Sequence, residues 1–218
     1  MKGRLLVLEG IDGCGKTTQI RHLANWLPNS GLMPQGAKLH LTREPGGTEF
    51  GIALRQLLLN TPGKAAPEPL AELLLYAADR AQHVSNLISP ALNKGNWILS
   101  DRFSGSTLAY QGYGRNLNLK VIEQLERIAT KGLIPDLTLW FDIPVKVSLA
   151  RRGSKSEDRI EAEGIDFLNR VAAGFTALAQ ERAWVKVQAD QKPASVSKYL
   201  ESELKRHFKG SQEQSCGD

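Results

Sequence analysis

The 218-residue sequence is 41% hydrophobic and 23% charged, and no apolar run approaches the ~20 residues that cross a bilayer, so a soluble globular protein is expected and a helical membrane protein is not. The formal net charge of +5 suits either nucleic acid or a site built for phosphates. The basic residues are scattered, with one local cluster at Arg151, Arg152, Lys155 and Arg159 and no basic stripe interleaved with aromatics, which favours a small phosphorylated ligand over nucleic acid. Cys14 and Cys216 show no CxxC or Cys/His spacing, so neither a metal cage nor a disulfide framework is indicated, and a reducing cytoplasm is expected.

In chain order, Leu5-Leu6-Val7-Leu8 is too short for a signal-peptide core and meets Glu9 at once, so Arg4 to Glu9 reads as a first strand. Glycines follow, then an amphipathic helix from Lys16 to Leu27. Pro28, Gly31, Pro34 and Gly36 mark a loop, and Lys38 to Thr42 a second strand. Pro45-Gly46-Gly47 is a turn, and Thr48 caps a helix running to Leu59. Helical spacing covers Glu72 to Asn93, then Asn96 to Ser100 is a strand with Asp101-Arg102 directly after it. A helix from Leu119 to Ala129, a strand from Leu137 to Phe141 ending at Asp142, and a helix from Val145 to Arg152 come next. Gly153 to Glu163 is polar and charged; Phe167 to Arg182 is helical, Trp184 to Val187 a last strand, and Ser195 to Phe208 a last helix.

Strands alternate with helices throughout, which predicts an α/β fold: a five-stranded parallel sheet flanked by helices on both faces. Ligands in such folds bind at the carboxyl ends of the strands. Gly10, Arg43, Asp101 and Asp142 all fall there and are gathered on one rim despite their distance in sequence.

Gly10-Ile11-Asp12-Gly13-Cys14-Gly15-Lys16-Thr17 matches the phosphate-loop pattern G-x4-G-K-[ST] in full, between a strand and a helix. Glycines let backbone N–H groups wrap closely round phosphate oxygens, and the following helix offers its positive N-terminus to the anion. Lys16 supplies a point charge to the β and γ phosphates, and the Thr17 hydroxyl is a ligand for Mg²⁺. Cys14 fills a small-residue position rather than acting as a nucleophile.

The loop establishes a nucleoside triphosphate and leaves three classes open. A GTPase switch wants Asn-Lys-x-Asp, and Asn93-Lys94-Gly95-Asn96 lacks the Asp and precedes a strand. A transporter-type ATPase wants a signature that Phe103-Ser104-Gly105-Ser106 approximates poorly. A small-molecule kinase needs a second polar pocket opposite the triphosphate, and the remaining residues fit that class. Arg43 and Arg102, each at a strand end, are placed to hold one phosphate in line. Tyr76 and Arg80, four apart on one helix face, offer an aromatic plane and a planar donor fork to a base. Taken alone, each has a plainer reading, a surface ion pair for an arginine and core for Tyr76; their conjunction with a full phosphate loop carries the argument.

Five blocks in order are more specific still: Glu9 to Thr18, Thr42-Arg43-Glu44-Pro45-Gly46-Gly47-Thr48, Tyr76-Ala77-Ala78-Asp79-Arg80, Asp101-Arg102-Phe103 with Ala109-Tyr110-Gln111-Gly112, and Asp158-Arg159-Ile160-Glu161. From Lys2 to about Phe208 the chain resembles the thymidylate kinase family, with its P-loop nucleoside monophosphate kinase fold. The resemblance implies transfer of the ATP γ-phosphate to dTMP, giving dTDP, with Mg²⁺. It implies that Gly10 to Thr18 bind nucleotide, that Asp12 meets the sugar 3′-hydroxyl, and that Arg43 and Arg102 hold the dTMP phosphate. Tyr76 would stack on thymine, Arg80 would bond its edge, and Thr107 and Gln111 would line the substrate site. Tyr110 would crowd the 2′ position, and Asp101 would support Mg²⁺ and the transferring phosphates.

Some family members carry arginine at the position of Gly13, and this chain does not. It therefore resembles the subtype that draws that charge from a lid, here about residues 151–163, with Arg151 and Arg159 as candidates. The plainer reading is that basic residues at a helix C-terminus complement its dipole. The expected organisation is one domain over 1–209 and a disordered tail over 210–218, and the resemblance implies a homodimer.

Overall fold

The computed structural model describes residues 3–61, 63–153 and 159–213. Lys155 and Asp158 of the expected lid, and residues 214–218 of the expected tail, lie outside the described residues. Five strands, β1 (Arg4–Glu9), β2 (Leu39–Arg43), β3 (Trp97–Asp101), β4 (Leu137–Asp142) and β5 (Val185–Gln188), form one sheet of order β2-β3-β1-β4-β5. Every pairing is parallel. Each strand falls within a residue or so of its expected place, because a short apolar run bounded by polar loop residues has few other solutions.

The central strand β1 is buried from Leu5 to Glu9, as expected of a strand covered on both faces. Leu6 and Leu8 join one core with Leu99, Leu139, Leu23, Leu200 and Leu204. Leu5 and Val7 join a second with Ile98, Val84, Ile88 and Leu92. The first core packs against α1 (Lys16–Trp26) and the last helix, α9 (Pro193–Glu213). The second lies under a π-helical turn (Val84–Ile88) and α4 (Ser89–Asn93), which continue α3 (Pro69–His83). Thr48 caps α2 (Glu49–Asn60) as expected, its hydroxyl accepting from the Gly51 amide at 3.0 Å. The last helix runs on past Phe208, where the sequence reading ends it, to Glu213.

One helix was not expected. α5 (Ser104–Thr107) leads into a π-helical segment (Leu108–Gly114), and three glycines among these residues argue against any helix. Tertiary packing overrides propensity here. A Cβ on Gly114 would meet Phe167 at 2.6 Å and one on Gly105 would meet Trp184 at 2.5 Å, so the glycines admit neighbours that an ordinary helix would hold off. Phe167 belongs to α8 (Ile165–Glu181), which follows α6 (Leu119–Thr130) and α7 (Val145–Arg152) and lies along this segment.

The register lines up the strand ends. Arg43 pairs with Asp101, Leu8 pairs with Asp101, and Asp142 pairs with Gln188. Gly10, Arg43 and Asp101 thus emerge on one rim, as the alternation of strands and helices requires.

Candidate active site

The phosphate loop joins β1 to α1 with Gly10, Gly13 and Gly15 all at positive φ, and Gly15 is the N-cap of the helix. Lys16 folds back over the loop, its Nζ donating to the Gly10 carbonyl at 2.9 Å and the Ile11 carbonyl at 3.2 Å. Cys14 is buried, its Sγ 3.5 Å from that ammonium. Thr17 and Thr18 are exposed on the first turn. An open cleft runs along the loop, walled by Asp101, Phe141, Arg151, Ala189 and Gln191. Asp101 Oδ1 is buried and has no hydrogen-bond partner among the described residues. An orphaned hard oxygen and the Thr17 hydroxyl on one cleft suit a small hard cation such as Mg²⁺, which takes one or two protein oxygens and keeps the rest for phosphates and water.

Gly13 has no room for a side chain. A Cβ there would lie 2.6 Å from the Ser148 carbonyl and 3.0 Å from Arg152 Cγ, both on α7. The Ser148 hydroxyl also donates to the Asp12 carbonyl. The lid's stem is therefore seated directly on the loop.

A second, smaller pocket opens on the other side of Asp12. Tyr76, Arg80, Arg102, Thr107, Tyr110 and Gln111, all expected here, line it, and so do Glu44, Leu59, Ser106 and Ile160. Arg102 joins the two compartments. Its Nη2 donates to Asp12 Oδ1 at 2.7 Å, and its Nη1 donates to the Gly10 carbonyl and to the Ser106 hydroxyl, both at 2.9 Å. The Tyr110 hydroxyl donates to Asp12 Oδ2 at 3.1 Å. Burial alone would raise the Asp12 carboxyl, but the Arg102 and Lys16 charges outweigh it and hold Asp12 well below the usual carboxylate range. Burial, with the Asp12 charge added, pushes the Tyr110 phenol well up. Arg102 holds this pose at a φ of 72°, a left-handed conformation that side-chain-bearing residues seldom adopt and that clusters at functional sites.

Arg80 is fully buried and pinned from three sides. Its Nε donates to Glu44 Oε2 at 2.7 Å and its Nη1 to the Thr107 hydroxyl at 2.9 Å and to Glu126. His83 Nδ1 lies 2.8 Å from Glu44 Oε1 and its Nε2 lies 2.7 Å from the Thr42 hydroxyl. Burial raises Glu126 from its ordinary value of 4.5 to about 7, only partly opposed by Arg80. The folded state therefore holds that proton where the unfolded chain has released it. The associated stability is complete below pH 4.5 and is lost as pH rises through about 7. Denaturant titrations across this window should show unfolding free energy falling with pH, by at most about 3 kcal/mol from this group. Glu126→Gln should flatten the fall; the same slope in the variant would show that Glu126 is not its source.

Arg43 reaches the rim but is exposed, outside the lining of the pocket. The two arginines expected on a lid part company. Arg151 stays on the loop cleft, donating to the Ala189 and Asp190 carbonyls at 2.7 and 3.1 Å. Arg159 lies over the small pocket instead, its Nε on the Leu58 carbonyl at 3.0 Å and its Nη2 on Glu72. Glu72 also takes Gln111 at 2.8 Å and Arg115 at 3.1 Å; these bonds outweigh the burial that would raise it and hold its carboxyl below the ordinary value. Glu9, Glu44, Glu72, Glu126 and Ser106 carry no role in the sequence reading. The available signal was burial: Glu9 ends a doubly covered strand and Glu72 opens an amphipathic helix on its inner face.

The sequence model of the thymidylate kinase family matches residues 8–199. A protein of Prochlorococcus marinus (strain MIT 9313) named thymidylate kinase is 73% identical over 208 residues, covering 95% of this chain and 96% of its own. One of Synechococcus sp. (strain WH7803), also so named, is 65% identical over 207 residues, 95% of this chain and 97% of its own. The crystal structure of thymidylate kinase from Ehrlichia chaffeensis superposes with a TM-score of 0.73 at 29% identity, over 94% of this chain and 99% of that one. A phosphate loop whose aspartate is shared with a second pocket, on this sheet order, with likeness over nearly the whole length, has one consistent reading: the chain belongs to the thymidylate kinase family.

Proposed function

We propose that this member of the family phosphorylates dTMP to dTDP with ATP as donor and Mg²⁺ as cofactor, using the two pockets that meet at Asp12. That shared aspartate, ion-paired to Arg102 in the smaller pocket, is the observation that carries the assignment of roles, because it sets an acceptor site directly against a phosphate loop. ATP takes the loop cleft, its phosphates on the loop amides and Lys16 and its base towards Ala189 and Gln191. dTMP takes the smaller pocket, with thymine stacked on Tyr76 and its edge towards Arg80, the 3′-hydroxyl on Asp12, Tyr110 beside the 2′ position, and the phosphate on Arg102; Arg43, exposed on the rim outside this lining, would have to swing inward to share it.

The acceptor phosphate is already an anionic nucleophile, so no general base is needed. Rate comes from holding two like-charged groups in line and neutralising the charge that spreads over the transferring phosphoryl. Lys16 and Arg102 do this from opposite sides. Thr17 and Asp101 would hold Mg²⁺, which would supply further neutralisation of the donor phosphates. Arg151, on the donor cleft, is the lid cation for the transferring group; Arg159 reaches it only by leaving Glu72.

A coupled assay across dTMP, dUMP, dCMP, AMP and thymidine tests the substrate. Preference for dTMP is expected, and preference for another acceptor overturns the assignment. We also propose a homodimer, supported by apolar residues exposed on three helices: Phe50 and Leu57 on α2, Leu70 and Leu74 on α3, and Val121 and Ile128 on α6. A cytoplasmic site of action is proposed on the cysteine usage alone. Among the described residues no helix is long and apolar enough to cross a membrane.

A further inference from the structure

Arg102 is the arginine at the centre of the site, and its own support comes from a residue that lines neither substrate pocket. Glu9 is the last residue of β1, 1% exposed. Its Oε1 accepts from the Phe103 amide at 2.9 Å and the Ser106 amide at 3.1 Å, and its Oε2 accepts from the Ser106 hydroxyl at 2.6 Å. Phe103 is the N-cap of α5 and supplies no side-chain cap. A strand residue ninety-seven positions away in sequence from Ser106 thus caps the helix that starts just after Arg102.

The hydroxyl of Ser106 has one proton, and the short bond to Glu9 fixes where it goes. Its lone pairs are then turned towards Arg102, whose Nη1 donates to it at 2.9 Å. Glu9, Ser106 and Arg102 form a directional chain that ends at Asp12 and the acceptor side. The left-handed backbone of Arg102, at a φ of 72°, is held by its own amide on the Leu8 carbonyl at 2.9 Å and by the Ser100 hydroxyl on its carbonyl at 2.8 Å; the bonds that Glu9 accepts from the next residue and from Ser106 extend this support to the segment behind the guanidinium.

We infer that Glu9 is a positioning residue for the acceptor phosphate, acting through Ser106 to aim the Arg102 guanidinium. This rests on the proposed contact between Arg102 and the dTMP phosphate. In the Ser106→Ala variant the guanidinium Nη1 loses one of its two neutral anchors and keeps only the Gly10 carbonyl. In Glu9→Gln an amide NH₂ faces the hydroxyl that the carboxylate now accepts from, so the serine proton must turn elsewhere. Each change lowers kcat/KM for dTMP by about tenfold and leaves KM for ATP within about twofold.

The test is a mutant cycle. Ser106→Ala, Glu9→Gln, Arg102→Ala and the Ser106→Ala/Arg102→Ala double variant are assayed with dTMP and ATP varied in turn, after thermal melts confirm a folded protein. The serine effect should appear only while the Arg102 guanidinium is present, a dependence that mere structural support would not show. An unchanged kcat/KM for dTMP in Ser106→Ala, or an equal loss with and without Arg102, overturns the inference. If Arg102→Ala itself leaves the dTMP parameters intact, the acceptor assignment has failed and the inference falls with it. Ser106→Ala alone decides the question if Glu9→Gln does not fold.

Discussion

Replacing Arg102 by alanine is expected to lower kcat/KM for dTMP by about 100-fold or more, read in steady-state kinetics with ATP saturating. Two losses combine. The acceptor phosphate loses the donor that holds it in line, and Asp12 loses the partner on its Oδ1. An unneutralised carboxylate beside a phosphate dianion repels the substrate it is meant to seat. The backbone gains nothing to offset this, because alanine at a φ of 72° carries the same Cβ strain as arginine. Lysine at this position should recover only part of the activity, since a point charge cannot reach Gly10, Ser106 and Asp12 at once. A loss of less than about tenfold would mean that the acceptor phosphate sits elsewhere.

Lys16→Met should lower kcat by about 1,000-fold with the fold intact. The ammonium bonds two loop carbonyls, so it is held close to where the β and γ phosphates arrive. Methionine keeps most of the stem's packing and removes the charge. The expected signature is a collapse in kcat with a smaller loss in nucleotide affinity, since charge accumulates on the transferring group chiefly in the transition state. Affinity lost with kcat preserved would reduce Lys16 to a ground-state anchor.

The sheet was legible because its strands are short apolar runs cut off by polar residues, and the phosphate loop because backbone N–H groups around a phosphate require glycine at fixed spacing. Tyr76 with Arg80 was legible as a shared helix face. The buried carboxylates were not. Glu44 meets Arg80 and Glu126 meets Arg80 across 36 and 46 residues, and no local pattern distinguishes such a glutamate from a solvated one; for Glu9 the buried strand marked the position but not its partner Ser106, 97 residues away. The helix at 104–114 was hidden for a related reason. Its glycines lower local propensity, and what stabilises it, the cap from β1 and close contact with α8, is wholly tertiary. Arg159 illustrates a third limit, since spacing places it on the lid without saying which pocket the lid covers.

The contact between Gly13 and α7 bears on how two subtypes of one family are related. Arginine at residue 13 is one way of supplying a cation to the transferring phosphate, and a lid arginine is the other. Here the Ser148 carbonyl and Arg152 occupy the space such a side chain would need, and the loop's φ of 81° there penalises any Cβ. A side chain at residue 13 and the present seat of α7 exclude one another. Gly13→Arg alone would push α7 off the loop, so on the proposed lid reading a route between the subtypes requires α7 to withdraw and the loop to re-form in concert. The valley between them is one of lost packing rather than lost chemistry.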